Sequence, residues 1–324
     1  MRIEKYIVFL LAAVMCGCTN VPEREVNVRA CAAMPDGGRA SACACECDGK
    51  AYVFGGRNGK TFLNDLWEYD PVSDSWKDLG KSPMKARVNA TMTSHDGKLY
   101  VGLGYSAKQA YVADGFQKDW WEYTPQTGTW KQLADYPNTY TDACTSLHLG
   151  DKIYALYGFW HSFSQYICCY DIPSDSWTVW PDNHSRAFSH TGGRGALLDG
   201  IFYYGGGFNT TNMTHWFAIE ITNDQWTPRA SIPGKGREFG ACAASKEYIY
   251  YFGGKYFGGD MTGGEIFDTY LRFAPATNQW EFCGKMPIGR KENLIAFSIN
   301  GKPYFGLGEN EKGVITNQLY CVEE

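Results

Sequence analysis

The chain has 324 residues, 44% of them hydrophobic, and a formal net charge of −5. That is ample for a buried core in one domain or two, and the absence of any basic run or stripe argues against nucleic-acid binding. Eleven Trp, 22 Tyr, 18 Phe and 37 Gly, with few helix-favouring runs, point to an all-β protein with many tight turns.

The N-terminus reads as a targeting segment. Arg2 and Lys5 precede an apolar run from Tyr6 to Val14, too short to span a membrane as a mature helix. The run ends in Met15-Cys16-Gly17-Cys18. This resembles a bacterial lipobox, and Cys18, with Gly17 before it, is the expected lipidation site. An ordinary cleaved signal peptide is the alternative; both readings export the protein. Residues 1–18 are therefore read as a lipoprotein signal, 19–25 as a tether and 26–324 as one domain.

Twelve cysteines raise the question of disulfides. Cys43, Cys45 and Cys47 alternate along one strand face, a spacing unlike paired zinc ligands. Most others sit singly in strand-like runs and read as small buried hydrophobes. No metal site and no cofactor is expected.

A repeat decides the fold. Its first copy is Tyr52-Val53-Phe54-Gly55-Gly56, then Trp67-Glu68-Tyr69-Asp70-Pro71, then Trp76. Later copies begin at Tyr100, Tyr154, Tyr203, Tyr250 and Tyr304, each ending its aromatic run in Gly and, except the last, followed by Trp130, Trp177, Trp226 or Trp280. The period is about fifty residues. Each copy reads as four antiparallel strands, a to d, with two-residue a–b turns such as Asp48-Gly49 and Asn300-Gly301. The sixth copy lacks strand d. A Pro follows Trp76, Trp130, Trp226 and Trp280 at constant offset, as Pro83 follows Trp76, and Val28 and Pro35 share that spacing. Residues 26–34 should therefore pair with Leu319–Glu323 and close the ring. Cys31 and Cys321 then lie diagonally on one side, where a disulfide is conceivable.

This pattern resembles the kelch family, which implies a six-bladed β-propeller. It is also distantly similar to N-acetylneuraminate epimerases and to the central domain of galactose oxidase. The copper site of the latter family uses a Tyr-His step, which this chain lacks, so copper oxidation is disfavoured.

Topology puts the d–a and b–c connections on one face. There the b–c loops vary, the longest following Gly104 and Gly254. Counting back from strand b gives one position per blade: Arg39, Arg87, Thr141, His190, Arg237 and Lys291. These are expected to ring the channel mouth and focus anions. Arg57, Tyr105, Phe159, Phe208, Lys255 and Glu309 follow the strand-b Gly on the same face. The structural alternative is that each Arg pairs with an acid and merely holds the ring.

The leading expectation is a non-catalytic, monomeric propeller lipoprotein, periplasmic or at the cell surface. It would bind an anionic glycan or protein at the mouth, and the lipid anchor would be its sole membrane contact. The resemblance to the epimerases implies the alternative, a sialic-acid mutarotase. Arg237 with Glu238 and Lys291 with Glu292 would then supply the acid–base parts, although neighbours on a strand face opposite ways. A tether leaving the short-turn face would direct the mouth away from the membrane.

Overall fold

A computed structural model describes residues 21–109, 112–137, 141–160, 162–163, 166–181, 190–258 and 264–324; the whole targeting segment, Cys18 included, lies outside them. Six four-stranded antiparallel sheets form the blades of a propeller. Their inner strands are Cys43–Cys47, Thr91–His95, Thr145–Leu149, Arg194–Leu198, Ala241–Ala244 and Ile295–Ile299. In blade six the outer strand is Asn27–Cys31, paired antiparallel with Leu319–Glu323, so the N-terminal segment closes the ring. Cys31 stands opposite Leu319 and Cys321 opposite Arg29, the diagonal expected from the offsets, and both thiols are free. Part of the expected tether is docked: the Arg24 amide donates to Phe282 O at 2.8 Å and the Phe282 amide to Pro22 O at 2.9 Å, on the outer strand of blade five.

The repeat residues explain the ring. The last Gly of each strand-b motif donates its N–H to a carbonyl of the next blade: Gly56 to Arg87, Gly104 to Thr141, Gly158 to His190, Gly207 to Arg237, Gly254 to Lys291 and Gly308 to Arg39. This circuit passes through all six junctions. These glycines have φ between 84° and 117°, a region that L side chains rarely enter. A methyl group on Gly308 would also lie 2.6 Å from the Glu292 carbonyl oxygen. Gly308→Ala, at the junction that closes the ring, is expected to cost about 2–4 kcal/mol of stability in urea melts. An unchanged midpoint would show that the ring does not depend on this approach.

Aromatic rings fill the spaces between blades. The Trp76 indole donates to Ala32 O, Trp177 to Ala134 O and Trp280 to Ala230 O, pinning blades one, three and five to the preceding blade. Asp74 and Asp175 complete two of these pins by accepting the Ala32 and Ala134 amides and the Tyr69 and Tyr170 hydroxyls. The ten described cysteines are all free. Burial pushes the Cys43 and Cys144 thiols up to about 12, so they behave as small hydrophobes.

Candidate site at the channel mouth

The six basic-ring positions do not form the mouth. Their carbonyls serve the glycine circuit, while their side chains enter the blades and are buried. Arg39 forks onto Asp65 at 3.0 and 3.1 Å, also pairs with Asp36, and reaches Gly55 O. Arg87 forks onto Asp119 at 2.7 and 2.9 Å and reaches Leu103 O. Both are wholly buried. Burial alone would raise the Asp65 carboxyl, but the Arg39 guanidinium holds it below its ordinary value. His190 packs in a ring cluster with Tyr157 and Tyr204, at 5.1 and 5.3 Å. Lys291 is buried with Nζ on Arg290 O, and Arg237 sits over the Phe267 ring at 4.2 Å. The correction is one of alternation: a strand sends neighbouring side chains to opposite faces, and counting gave the inward-packed position.

The mouth belongs to the next residue along. Ala40, Val88, Asp142, Thr191, Glu238 and Glu292 each bridge, backbone to backbone, to Arg57, Tyr105, Phe159, Phe208, Lys255 and Glu309 respectively. Thus the second set of expected residues, together with Glu238 and Glu292, does lie on one face. Four short hairpins built from the b–c loops begin at Arg57, Phe159, Phe208 and Lys255. The Tyr105 side chain is buried on Phe116 and accepts the Val112 amide at 2.9 Å, and Glu309 is buried as well.

Between blades three, four and five the mouth holds a cavity of about 380 Å³, lined by Asp142, Phe159, Phe208, Glu238, Phe239, Lys255 and Phe257 among others. That volume is of ligand size. Phe208 meets Phe257 edge-on at 5.5 Å. The Lys255 ammonium lies 5.4 Å from the Phe239 ring and binds Glu292 at 3.0 Å. Toward blade one, Arg57 pairs with Glu309, which also accepts from Asn293 at 3.1 Å. The face therefore mixes acids and bases, and is not the cationic ring expected from the sequence.

Two carboxyl groups are tuned toward neutrality. Glu238 is 4% exposed, and no side-chain hydrogen bond or ion pair reaches it among the described residues. Burial pushes it up to about 7; Lys255 and Arg194 oppose the rise and Glu292 adds to it. Burial likewise lifts Asp142 to about 6, against a 3.1 Å hydrogen bond from Asn89 and the charge of Arg194. Both groups populate both protonation states near neutral pH, as general acids and bases require.

Arg194 escaped the sequence reading. It stands on the inner strand of blade four and, among the described residues, is the one charged residue lining the channel cavity of about 150 Å³. Its Nε donates to Gly240 O, and its guanidinium lies 5.8 Å from the Phe239 ring. It was findable: the equivalent positions, four residues after each ring residue, are Cys43, Thr91, Thr145, Ala241 and Ile295, none charged. Asp142 was equally findable as the residue after Thr141. Among the described residues, no three His, Cys, Asp or Glu side chains gather in a way that could hold a metal.

Six closed blades, a Gly-linked ring and a mouth built from b–c loops define a propeller of the kelch class. The pattern described as the KLHDC2/KLHL20/DRC7 Kelch-repeats domain matches residues 17–194, and the chain belongs to the kelch-repeat family. It is 28% identical over 163 residues to the N-acetylneuraminate epimerase of Shigella boydii serotype 4, covering 40% of this chain and 44% of that protein. It is 26% identical over 259 residues to Kelch-like protein 25 of Xenopus tropicalis, covering 76% and 41%. With the N-(sulfonatooxy)prop-2-enimidothioate sulfolyase of Thlaspi arvense it shares 32% over 150 residues, covering 40% and 43%. The chain thus spans less than half the length of these curated relatives. The solved structure of YjhT superposes with a TM-score of 0.75 over 90% of this chain and 96% of that one; at 15% identity it speaks to the fold alone.

Proposed function

We propose that the chain is an exported lipoprotein that catalyses mutarotation of a carboxylated sugar at the channel mouth. The observation that carries this reading is the near-neutral pair, Glu238 and Asp142, on one cavity walled by phenylalanines. The phenylalanine faces stack on a pyranose ring. Arg194 lines the adjoining channel cavity, with Nε and one terminal nitrogen held by Gly240 O and Gly193 O, and its charge draws the substrate carboxylate toward that end of the mouth. One carboxylate takes the proton of the anomeric hydroxyl while the other carboxylic acid protonates the ring oxygen. The ring C–O bond breaks and a carbonyl forms. It turns, the ring closes on its other face, and both protons return. No redox partner or cofactor is required. The partial similarity to N-acetylneuraminate epimerases supports the substrate class.

The test is anomer equilibration of N-acetylneuraminate followed by NMR. Acceleration over the buffer rate is expected, and its absence loses the enzymatic reading. A second reading, non-catalytic capture of an anionic glycan or protein by the same mouth, is favoured by the aromatic wall beside Lys255. Saturable binding on a glycan array without acceleration would select it. In either case the mouth would face away from the membrane. Loss of antibody access to the loop after Gly254 in anchored protein would count against that orientation.

A further inference from the structure

Arg237 repeats the environment of Arg39 and Arg87 with one part missing. All three guanidinium groups reach the carbonyl sixteen residues on: Gly55, Leu103 and Gly253. Arg39 and Arg87 are then forked by Asp65 and Asp119, which stand at the start of strand c in their blades. Strand registers place Leu66 opposite Phe54, Trp120 opposite Gly102 and Tyr270 opposite Phe252, so the equivalent of Asp65 and Asp119 in blade five is Thr269. Thr269 carries no charge. Arg237 is 4% exposed and makes no ion pair among the described residues. Phe267 stacks on it at 4.2 Å, which orients the cation without neutralising it. Burial accordingly lowers its pKa to about 10. Where the aspartate would stand there is open space instead. Arg237 and Thr269 line a cavity of about 860 Å³ together with Lys235, Phe267, Leu271 and Phe282. Glu23 also lines it without pairing to Arg237, and Lys235 is already bound to Glu265 at 2.8 Å. This cavity shares no lining residue with the one at the mouth.

We propose that this cavity is a second binding site, taking a small-molecule carboxylate that supplies to Arg237 the two oxygens Asp65 and Asp119 supply to their arginines. An unpaired buried cation is costly, and a planar carboxylate fits the free edge of the guanidinium in the way already seen twice in this chain. The apolar wall of Phe267, Leu271 and Phe282 would accept the body of the ligand.

The test is isothermal titration of the full chain with L-lactate and with D-glucuronate, and with sulfate at matched ionic strength. Saturable binding of a carboxylate is expected, with sulfate weaker. Thr269→Asp restores the missing partner; it should raise the melting temperature and weaken carboxylate binding about tenfold or more. Arg237→Lys keeps the charge without the fork and should also lose binding. Three results would each overturn the site: no carboxylate binding to wild type, equal affinity in T269D, or sulfate binding as tightly. If binding survives T269D but disappears in Arg194→Gln, the ligand sits at the mouth and the second site is lost.

Discussion

Glu238→Gln is expected to reduce the acceleration of anomer equilibration by about 10²- to 10⁴-fold, the usual contribution of a positioned acid–base group. The same change should make the protein more stable at alkaline pH. Burial holds the Glu238 carboxyl at about 7, above its ordinary 4.5. Between those two pH values the native chain keeps a proton that the unfolded chain has released. Stability contributed by this group is therefore complete below about pH 4.5 and lost as pH rises through about 7. The full loss is roughly 3 kcal/mol. Glutamine never ionises, so the variant should gain roughly 1–3 kcal/mol over wild type at pH 8 and nothing at pH 4.5. Asp142→Asn should shift the same way, over a window from 3.8 to about 6. Urea melts at both pH values, alongside the NMR rate, check this. An inactive variant with no alkaline gain would mean that Glu238 is already ionised in the native state, which removes the acid–base argument while leaving a binding role.

The architecture was legible because its determinants are local and repeated. The glycine pairs, the strand-d tryptophans and the Asp-Gly turns each fix one junction or hairpin, and six copies let their offsets be compared. The Pro offset even located the closing strand, which the register from Asn27 to Cys31 reproduces. The site was legible to within one residue and failed there. Counting aligns positions along a strand but does not say which of two neighbours faces the channel, since a step of one reverses the face. Hence Glu238 and Glu292 were named only as companions of Arg237 and Lys291, yet they form the mouth. Asp142 was missed for the same reason, whereas Phe239, two residues past Arg237, is turned by a left-handed backbone conformation that strand alternation does not describe. Tyr105 failed differently: its position is right, but its own loop folds back to bind its hydroxyl, a tertiary contact that no periodicity encodes.

Arg87→Ala is expected to cost about 3 kcal/mol of stability and to leave ligand affinity at the mouth unchanged in the folded fraction. Arg87 is fully buried, so its removal strips Asp119 of two charge-assisted hydrogen bonds and leaves Leu103 O without its donor. The loss falls at the low end of the range for a broken buried pair, because the Asp119 side chain is 21% exposed and water can reach it. Asp119 also keeps the Trp121 indole at 2.9 Å, just as Asp65 keeps Trp67 at 2.7 Å. The clamp therefore ties the start of strand a to the start of strand c within one blade, and its energy lies in positioning those strands. Replacing both partners by apolar residues, as in R87M with D119L, should recover most of the loss, since the desolvation cost of two charges disappears with them. Denaturant midpoints of the two single variants and the double variant decide the matter. A loss below about 1 kcal/mol in R87A, the value of an ordinary surface pair, accompanied by weakened ligand binding, would return Arg87 to the mouth. Recovery in the double variant would assign the recurrent arginines to the scaffold and leave Arg237, which lacks the aspartate, as the one of the three available to a ligand.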